Sequence, residues 1–380
     1  MESTKNGNNY ENFLHNPTVE KLCKLHNLHI DDEKFCQLLD DQDPVRNLRA
    51  EFFYPKMRDL PTVDLALVQP DQDCIYLCVY TILQFVAESQ ARFHGYDPHD
   101  ALIILEPRPD EFCLRIEDIL KCIEDHGREI ALVLFSGVQY YTGQLFDVPT
   151  ITTAAQEKGC VVGWDMAHAV GNMPLHLHDW GVDFAVWCSY KYVNSSAGGI
   201  GAVFLHERHA RNDYPKLSGW WSDDAKHRMM MTNELHLSPG ASGYRISNPP
   251  ALLICPLLAS LDIFAKTSME TLRQKSILLT GYLEYLLDKF LNHDSPYRQT
   301  LASCRIITPR SIGQRGCQLS LIFSVELDSV FVELEKRGVV CDKRLPYVLR
   351  ITPVHLYNSF DDVKRFVDVL IDCLKNFEKK

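Results

Sequence analysis

A series of short, continuous apolar runs is the feature that most constrains the fold of this chain. Between residues 100 and 205 the runs alternate with polar-apolar stretches that predict helices, such as Ile116–His126 and Val148–Lys158. The runs are Ala101–Leu105, Ile130–Phe135, Cys160–Trp164, Phe184–Cys188 and Gly201–Leu205. Continuous apolar strands that alternate with helices indicate a mainly parallel sheet covered on both faces. Ligands of such sheets bind beyond the carboxyl ends of the strands, so the chemistry is expected there.

The flanking regions predict a helical N-terminal segment and a small α+β domain at the C-terminus. Residues 251–292 carry apolar side chains at helical spacing and predict two helices that meet near Thr267. The remainder predicts strand, strand, helix, strand and helix at Cys304–Ile307, Cys317–Val325, Val330–Arg337, Val348–Ile351 and Asp361–Leu374. The predicted domains are therefore a helical segment (1–60), a large domain (61–265), and a linking helix with the small domain (266–380).

Charge and cysteine content argue against several classes of protein. The chain has 39 Lys+Arg and 50 Asp+Glu, a net charge of -11, which disfavours general binding to nucleic acid or anionic membranes. The longest apolar runs are far shorter than the roughly 20 residues that span a bilayer, and the polar N-terminus lacks the apolar centre of a signal peptide. The 13 cysteines are scattered, as in proteins of a reducing compartment. We therefore expect a soluble, cytoplasmic protein.

The most informative pair of residues is Asp165 and Lys191. Asp165 follows the run Cys160–Trp164, and Lys191 follows Phe184–Cys188, so both lie at the carboxyl edge of the predicted sheet. An amine forms a Schiff base with the aldehyde of pyridoxal phosphate, and a carboxylate keeps the pyridine nitrogen protonated. The pair is therefore typical of pyridoxal phosphate chemistry. A strand-end aspartate can also cap a helix, and most lysines are solvated surface groups, so this alternative stays open.

The neighbours of this pair offer groups that stack on a ring or bind a phosphate. His168, Ser189 and Tyr190 are such residues, although they are equally common in cores and turns. The glycines of 198–201 precede a predicted strand and do not fit Gly-x-Gly-x-x-Gly, so a hairpin turn is favoured over a dinucleotide site.

Other polar residues give weaker signals. His176-Leu-His178-Asp179 suggests a metal site, but it lacks a convincing third ligand, and a surface loop is favoured. Arg245 and Arg350 are candidate clamps for a carboxylate, because a guanidinium grips a carboxylate through two parallel hydrogen bonds. A salt bridge is the commoner role for any single arginine.

Several long stretches resemble the kynureninase family. They are Val133–Gln144, Gly159–Asn172, Asp179–Asn194, Tyr244–Pro250, Gly316–Ser324, Leu334–Arg344 and Arg350–Phe360. The resemblance runs from Leu114 to the C-terminus and again from about residue 30 to Leu77. It implies a homodimeric, fold-type I pyridoxal phosphate enzyme with a large domain and a small α+β domain. The implied reaction is hydrolysis of the Cβ–Cγ bond of L-kynurenine or 3-hydroxykynurenine to an anthranilate and L-alanine, in tryptophan catabolism and NAD biosynthesis.

The resemblance also implies roles for single residues. Lys191 would form the Schiff base, and Asp165 would pair with the pyridinium nitrogen. Tyr141 would lie near the cofactor and act in acid–base catalysis, while Arg350 would hold the substrate α-carboxylate. Other cofactor contacts would come from Ser136, His168 and Tyr190, and from Trp220 and Asn248 of a partner subunit. Asn248 would also bind the substrate.

The resemblance breaks after Leu77. Family members continue with a Gly-Asn-Ser-Leu-Gly loop and a long helical segment, whereas here Cys78–Leu83 leads directly into a stretch like the region before Leu114. The absent part would bind the cofactor phosphate, stack on the pyridine and supply a second aspartate. We therefore expect an incomplete large domain with an exposed sheet edge and exposed core side chains. The alternative function is a catalytically impaired form that acts only as a non-catalytic dimer partner.

Overall fold

The computed structural model describes residues 17–77, 84–212, 214–230, 232–291 and 304–375. These residues form two units. Unit 1 lies within Met1–Cys113, Gln139–Leu145 and Lys266–Lys380, and unit 2 comprises Leu114–Val138 and Phe146–Ala265.

In chain order, the strands of the described residues are β1 (Ile75–Leu77), β2 (Leu132–Ser136), β3 (Val161–Asp165), β4 (Phe184–Cys188), β5 (Gly201–Leu205), β6 (Cys304–Ile306), β7 (Leu319–Phe323), β8 (Val339–Arg344) and β9 (Val348–Ile351). The α-helices are α1 (Pro17–His26), α2 (Glu33–Asp41), α3 (Gln84–Phe93), α4 (Pro98–Ala101), α5 (Ile116–His126), α6 (Val148–Glu157), α7 (Ala251–Phe264), α8 (Met269–Leu291), α9 (Leu327–Lys336) and α10 (Phe360–Lys375).

Most predicted elements are present close to their expected bounds, with two exceptions. The run Ala101–Leu105 is not a strand, because Ala101 ends the short helix α4 and residues 102–105 are irregular. The Asp97 side chain caps that helix by accepting a hydrogen bond from the His99 N–H at 2.9 Å. Strand β8 was missed, because its second half is the charged sequence Asp-Lys-Arg, which does not read as an apolar run.

Unit 2 is built on a four-stranded sheet in the order β2-β3-β4-β5. Strands β2, β3 and β4 run parallel, and β5 runs antiparallel to β4. Helix α6 covers one face, where the Trp164 Nε1 donates a hydrogen bond to the Thr152 hydroxyl at 3.0 Å. The prediction of a mainly parallel sheet in the large domain is confirmed.

The other face of this sheet carries exposed aliphatic side chains. They are Leu132, Leu134, Val161, Val186 and Val203. Among the described residues, β2 has no strand on its outer side. The expected exposed sheet edge and exposed apolar side chains are therefore present in the described part of the chain, while the truncation itself remains a prediction. The junction Cys78–Leu83 itself lies outside the described residues.

Unit 1 contains a mixed sheet in the order β1-β8-β9-β7-β6. Its core packs the sheet against α8 and α10, with Leu283, Leu321 and Phe366 fully buried. Strand β1 pairs in parallel with β8, which places it in unit 1 rather than with the sheet of unit 2. The described residues of 61–113 thus belong to the same unit as the C-terminal residues, whereas the predicted border at 265/266 coincides with a unit border. The three-domain division remains a prediction.

Helices α7 and α8 are the most apolar long helices. The expected break between them is present, because α7 ends at Phe264 and α8 begins at Met269. No single helix of the described residues is long and apolar enough to cross a membrane. The pair Ala251–Phe264 and Met269–Phe290 meets that criterion only jointly, and it is bent by 82°.

Candidate active site

The register of the parallel strands brings candidate residues together at the carboxyl edge of the sheet in unit 2. Ser136 of β2 lies opposite Asp165 of β3, which lies opposite Val186 of β4. The Asp165 carboxylate is buried and accepts a hydrogen bond from the Ala167 N–H at 2.8 Å. Burial raises the pKa of Asp165, while this hydrogen bond and the charge of Lys191 oppose the rise. A buried carboxylate of this kind suits a cationic partner.

Lys191 lies three residues beyond the end of β4 and is only 3% exposed. Its Nζ is 5.5 Å from the centroid of the Tyr190 ring, and its charge acts on Asp165. The pKa of Tyr190 is raised by burial, by Cys188 and by the charge of Asp165. The structure therefore brings Lys191, Tyr190 and Asp165 close to one another, as the strand-end argument predicts.

Hydroxyl groups fix the loop that carries Lys191. The Ser189 hydroxyl donates to the Ile200 carbonyl at 2.6 Å, and the Ser195 hydroxyl donates to the Ser189 oxygen at 2.5 Å. The Asn194 N–H donates to the Lys191 carbonyl at 2.9 Å. Ser189 thus holds the loop, which is the turn role left open by the sequence. Sequence reasoning missed Ser195, because a serine in a glycine-rich loop carries no distinctive signal.

Only glycine fits at position 199, because the Ser189 and Ser195 hydroxyls leave no room for a side chain. A Cβ atom there would lie 2.5 Å from the Ser195 Oγ and 2.8 Å from the Ser189 Oγ. The preceding Gly198 has φ +71°, and β5 begins at Gly201, antiparallel to β4. The glycines therefore form a turn between antiparallel strands, as predicted.

His168 lies in the turn that follows β3. Its side chain is buried, and its ring centroid is 6.0 Å from that of Tyr192 in an edge-on arrangement. The Asn172 side chain donates to the His168 carbonyl at 3.0 Å. The ring is therefore held within unit 2, at the same strand end as Asp165.

Asn248 and Arg245 lie in exposed loops of unit 2, and Trp220 begins the short 3-10 helix Trp220–Ser222. The Trp220 Nε1 donates to the Arg228 carbonyl at 3.0 Å, while the rest of the indole is largely exposed. Two guanidinium groups face the Trp221 ring, Arg228 at 4.1 Å and Arg245 at 5.9 Å from its centroid. Arg245 therefore belongs to a cluster of cations and aromatic rings in this loop region.

Arg350 and Tyr141 belong to unit 1. The buried Arg350 guanidinium donates to the Tyr140 carbonyl at 2.7 Å and forms an ion pair with Asp342. The Tyr141 carbonyl accepts a hydrogen bond from the Ser320 hydroxyl at 2.5 Å. Burial, and to a lesser degree Tyr140, raises the pKa of Tyr141. Sequence reasoning missed Asp342 because it missed β8, the strand that carries this residue.

The described residues contain no group of three or more His, Cys, Asp or Glu side chains arranged to hold a metal ion. The His178 ring lies 3.5 Å from both the Asp179 and the Glu207 carboxylates, and all three side chains are well exposed. The histidines of residues 176–178 are therefore part of a polar surface, as predicted.

Solved structures with the same fold define the class of protein. A cysteine desulfurase from Thermococcus onnurineus NA1 has a TM-score of 0.63 at 15% identity and covers 95% of this chain and 92% of its own. An alanine–glyoxylate aminotransferase from Nostoc sp. has a TM-score of 0.55 at 17% identity, with the same two coverages. A C-DES variant solved with glycine covalently linked to its PLP cofactor has a TM-score of 0.57. The fold is that of the pyridoxal-phosphate fold-type I enzymes.

Sequence relatives narrow this class to one family. The chain is 44% identical to kynureninase from Nematostella vectensis, over 94% of this chain and 97% of that protein. It is 40% identical to kynureninase from Homo sapiens, over 96% of this chain and 97% of that protein. The model of the kynureninase C-terminal domain matches residues 272–370. The chain belongs to the kynureninase family.

The alignments also reveal a difference in length. The alignment with the Nematostella relative extends over 452 residues, and the alignment with the human relative over 454, whereas this chain has 380 residues. Both alignments reach across 97% of the relative. These relatives therefore contain a substantial internal stretch that has no counterpart here. The position of the break after Leu77 remains a prediction.

Proposed function

We propose that this protein hydrolyses the Cβ–Cγ bond of L-kynurenine or 3-hydroxykynurenine and releases an anthranilate and L-alanine. The observation that carries the proposal is the buried pair of Asp165 and Lys191, in a chain 40% to 44% identical to kynureninases over nearly their whole length. The reaction is a pyridoxal-phosphate-dependent hydrolysis of a carbon–carbon bond in a ketonic substrate. The non-catalytic alternative finds no support among these relatives.

The residues of unit 2 fit the ring of the cofactor. When bound, pyridoxal phosphate supplies an aldehyde that reacts with amines and a ring that withdraws electrons from the substrate α-carbon. Asp165 would pair with the ring nitrogen, because its buried carboxylate is stabilised by a cationic partner. Ser136, His168 and Tyr190 would line the ring, since they lie at or just beyond the ends of the same parallel strands.

Lys191 is the proposed proton acceptor for the substrate α-carbon. An amine accepts a proton only when it is neutral, and exclusion from water favours the neutral form. The Lys191 side chain is buried, so bulk water is excluded from its amine. The hydrogen bonds of Ser189 and Ser195 hold its loop and so limit the positions that the amine can adopt.

Tyr141 and Arg350 are the proposed contributions of unit 1. The raised pKa of Tyr141 keeps its hydroxyl protonated near neutral pH, so it can donate a proton as water attacks the γ-carbonyl. Arg350 would bind the substrate α-carboxylate together with Asn248. A guanidinium has five N–H donors, so Arg350 can retain Asp342 and the Tyr140 carbonyl while it binds a carboxylate.

We also propose a cytoplasmic homodimer that acts in tryptophan catabolism and NAD biosynthesis. In this arrangement Trp220 and Asn248 reach the site of the partner subunit, and both are exposed and therefore available to it. The net charge of -11 supports a small-molecule substrate rather than nucleic acid or an anionic membrane.

The first experiment is the absorption spectrum of the purified protein with added pyridoxal phosphate. We expect a near-visible band from reaction of the cofactor with Lys191, and hydrolysis of kynurenine by the same sample. Lys191→Ala should lose both the band and the activity. Lys226→Ala, which removes an exposed lysine of the same unit, should keep both. A folded protein with no band, or a band that survives in Lys191→Ala, would contradict the proposed site.

A further inference from the structure

One face of the sheet in unit 1 carries a row of buried polar side chains. Strands β7, β9 and β8 lie side by side, and their register places Ser320 opposite Arg350 and Arg350 opposite Asp342. Gln318 lies two residues before Ser320 and its amide donates to the Ser320 oxygen at 3.0 Å, so the two side chains share a face. Gln318, Ser320 and Arg350 are all fully buried. Burial of polar groups costs free energy that hydrogen bonds must offset.

The row binds two consecutive backbone carbonyls, those of Tyr140 and Tyr141. The Tyr140 carbonyl accepts hydrogen bonds from the Arg350 guanidinium at 2.7 Å and from the Gln318 Nε2 at 3.0 Å. The Tyr141 carbonyl accepts a hydrogen bond from the Ser320 hydroxyl at 2.5 Å, and the Gln318 Nε2 lies 3.5 Å from it. Two successive peptide groups are therefore held by three neighbouring side chains of one sheet face.

The segment that carries these carbonyls is also fixed from within. The Gln139 side-chain oxygen accepts hydrogen bonds from the Tyr141 N–H at 2.6 Å and the Thr142 N–H at 2.8 Å. Gly143 has φ +77°, and a Cβ atom there would lie 3.1 Å from the Gln318 carbonyl oxygen. This turn therefore packs closely against the residue that precedes β7, and its backbone has little freedom to move relative to the sheet.

We propose that Gln318 and Ser320 are positioning residues for the reaction. Through the backbone that they bind, they hold the Tyr141 phenol and the Arg350 guanidinium in a fixed relation to each other. Gln318 acts on both groups, because it donates to the same Tyr140 carbonyl as Arg350. The proposal rests on the proposed function, in which Tyr141 donates a proton and Arg350 binds the substrate carboxylate. A misplacement of about 1 Å can lower a rate by roughly 100-fold.

Amide hydrogen exchange measures the positioning without cofactor or substrate. Gln318→Met and Ser320→Ala should each speed exchange of the peptide that spans residues 139–145 roughly tenfold, because each removes a donor that holds its carbonyls. The control is Tyr282→Phe, which removes a buried hydroxyl that donates to the Ile30 carbonyl at 3.4 Å in the same unit. It should leave exchange of this peptide unchanged. Unchanged exchange in both test variants would overturn the proposal.

The kinetics of kynurenine hydrolysis separate positioning from simple destabilisation. Gln318→Met should lower kcat and raise KM, each roughly fivefold, because it loosens both the proton donor and the carboxylate clamp. Ser320→Ala should lower kcat with a smaller change in KM, since its hydroxyl donates to the Tyr141 carbonyl. Ser320→Thr keeps the hydroxyl and should restore kcat, and Tyr282→Phe should change neither constant.

The two measurements distinguish failure of this proposal from failure of the proposed function. Unchanged kcat and KM in Gln318→Met, despite faster exchange at residues 139–145, would overturn the positioning role. Equal losses in Tyr282→Phe would also overturn it, because they would reflect stability alone. Faster exchange confined to residues 139–145 supports the role even if the unmodified protein does not hydrolyse kynurenine, a result that would contradict the proposed function alone.

Discussion

At the scale of single residues, a few hydrogen bonds hold the loop around Lys191, and its backbone packs closely against the Ser189 and Ser195 hydroxyls. Asn194 and Ser196 have φ of 56° and 69°, and Gly198 has φ 71°. Left-handed backbone is costly for residues other than glycine unless the surroundings fix it. Here the Ser195–Ser189 hydrogen bond provides that restraint.

Gly199→Ala tests how closely this loop is fitted. The added methyl group would displace the Ser189 and Ser195 hydroxyls, with an expected loss of roughly 1–2 kcal/mol of unfolding free energy and a weaker cofactor band. Denaturant unfolding and the absorption spectrum measure the two effects. The control is Gly201→Ala, where the nearest atom to the new Cβ, the Trp187 carbonyl oxygen, is 3.4 Å away. Equal stability of the two variants would contradict the prediction.

Asp183 is a second residue whose local hydrogen bonds affect the stability of the fold. Burial opposes its charge, but hydrogen bonds from His209, Gln156, the Val162 N–H and Arg208 lower the pKa of Asp183 to about 2. A carboxyl group whose pKa is lower in the folded state stabilises the fold above its ordinary pKa. That stabilisation is lost as pH falls toward the folded value.

We therefore expect Asp183→Asn to destabilise the protein by roughly 2 kcal/mol at pH 7. The difference from the unmodified chain should shrink as pH falls from about 4 to about 2. Asp179→Asn removes an exposed carboxylate and should change stability little at any pH. Denaturant unfolding at several pH values measures this, and a difference that is constant with pH would refute the assignment to Asp183.

At the scale of elements, helix α8 contributes a buried charge as well as apolar packing. The Lys275 Nζ lies 2.6 Å from the Asp43 carboxylate, and both side chains are almost fully buried. Burial lowers the pKa of Lys275, and Asp43 counteracts this effect. The pair ties α8 to the segment that follows α2, two elements far apart in sequence.

Lys275→Met should cost about 3–5 kcal/mol of unfolding free energy, because it leaves the Asp43 carboxylate buried without its cation. The double variant Lys275→Met with Asp43→Asn should recover most of that loss. Lys364→Met, which removes a partner from the helical surface pair with Asp368, should cost less than about 1 kcal/mol. Thermal or denaturant unfolding gives the comparison, and a double variant no more stable than the single one would disprove the explanation.

The elements themselves were predictable wherever the apolar period was clear. Strands β4 and β5 and helix α5 have the expected bounds, because each combines an apolar pattern with a distinct start and end. Strand β8 was not predictable from the same pattern, since its second half is charged and these charges are paired within the fold. One of them, Asp342, pairs with Arg350 of β9.

At the scale of the whole molecule, unit 1 is assembled from stretches that are distant in sequence. Residues 139–145 leave unit 2 and join unit 1, where the Tyr140 carbonyl accepts a hydrogen bond from Arg350 and Gln144 forms a bridge with Arg315. Pairing at such distances carries no local sequence signal, so periodicity alone cannot reveal which unit a segment joins.

The fold class and the strand-end positions of Asp165 and Lys191 follow from the sequence alone, because apolar period is a local property. The family follows from the stretches that resemble kynureninases. Only the folded structure shows that Arg350 is paired with Asp342, that β1 joins the sheet of unit 1 and which side chains of the other sheet are exposed. These features arise from contacts between separate strands and helices. Their free energies depend on which surfaces meet, and no local pattern of residues encodes that.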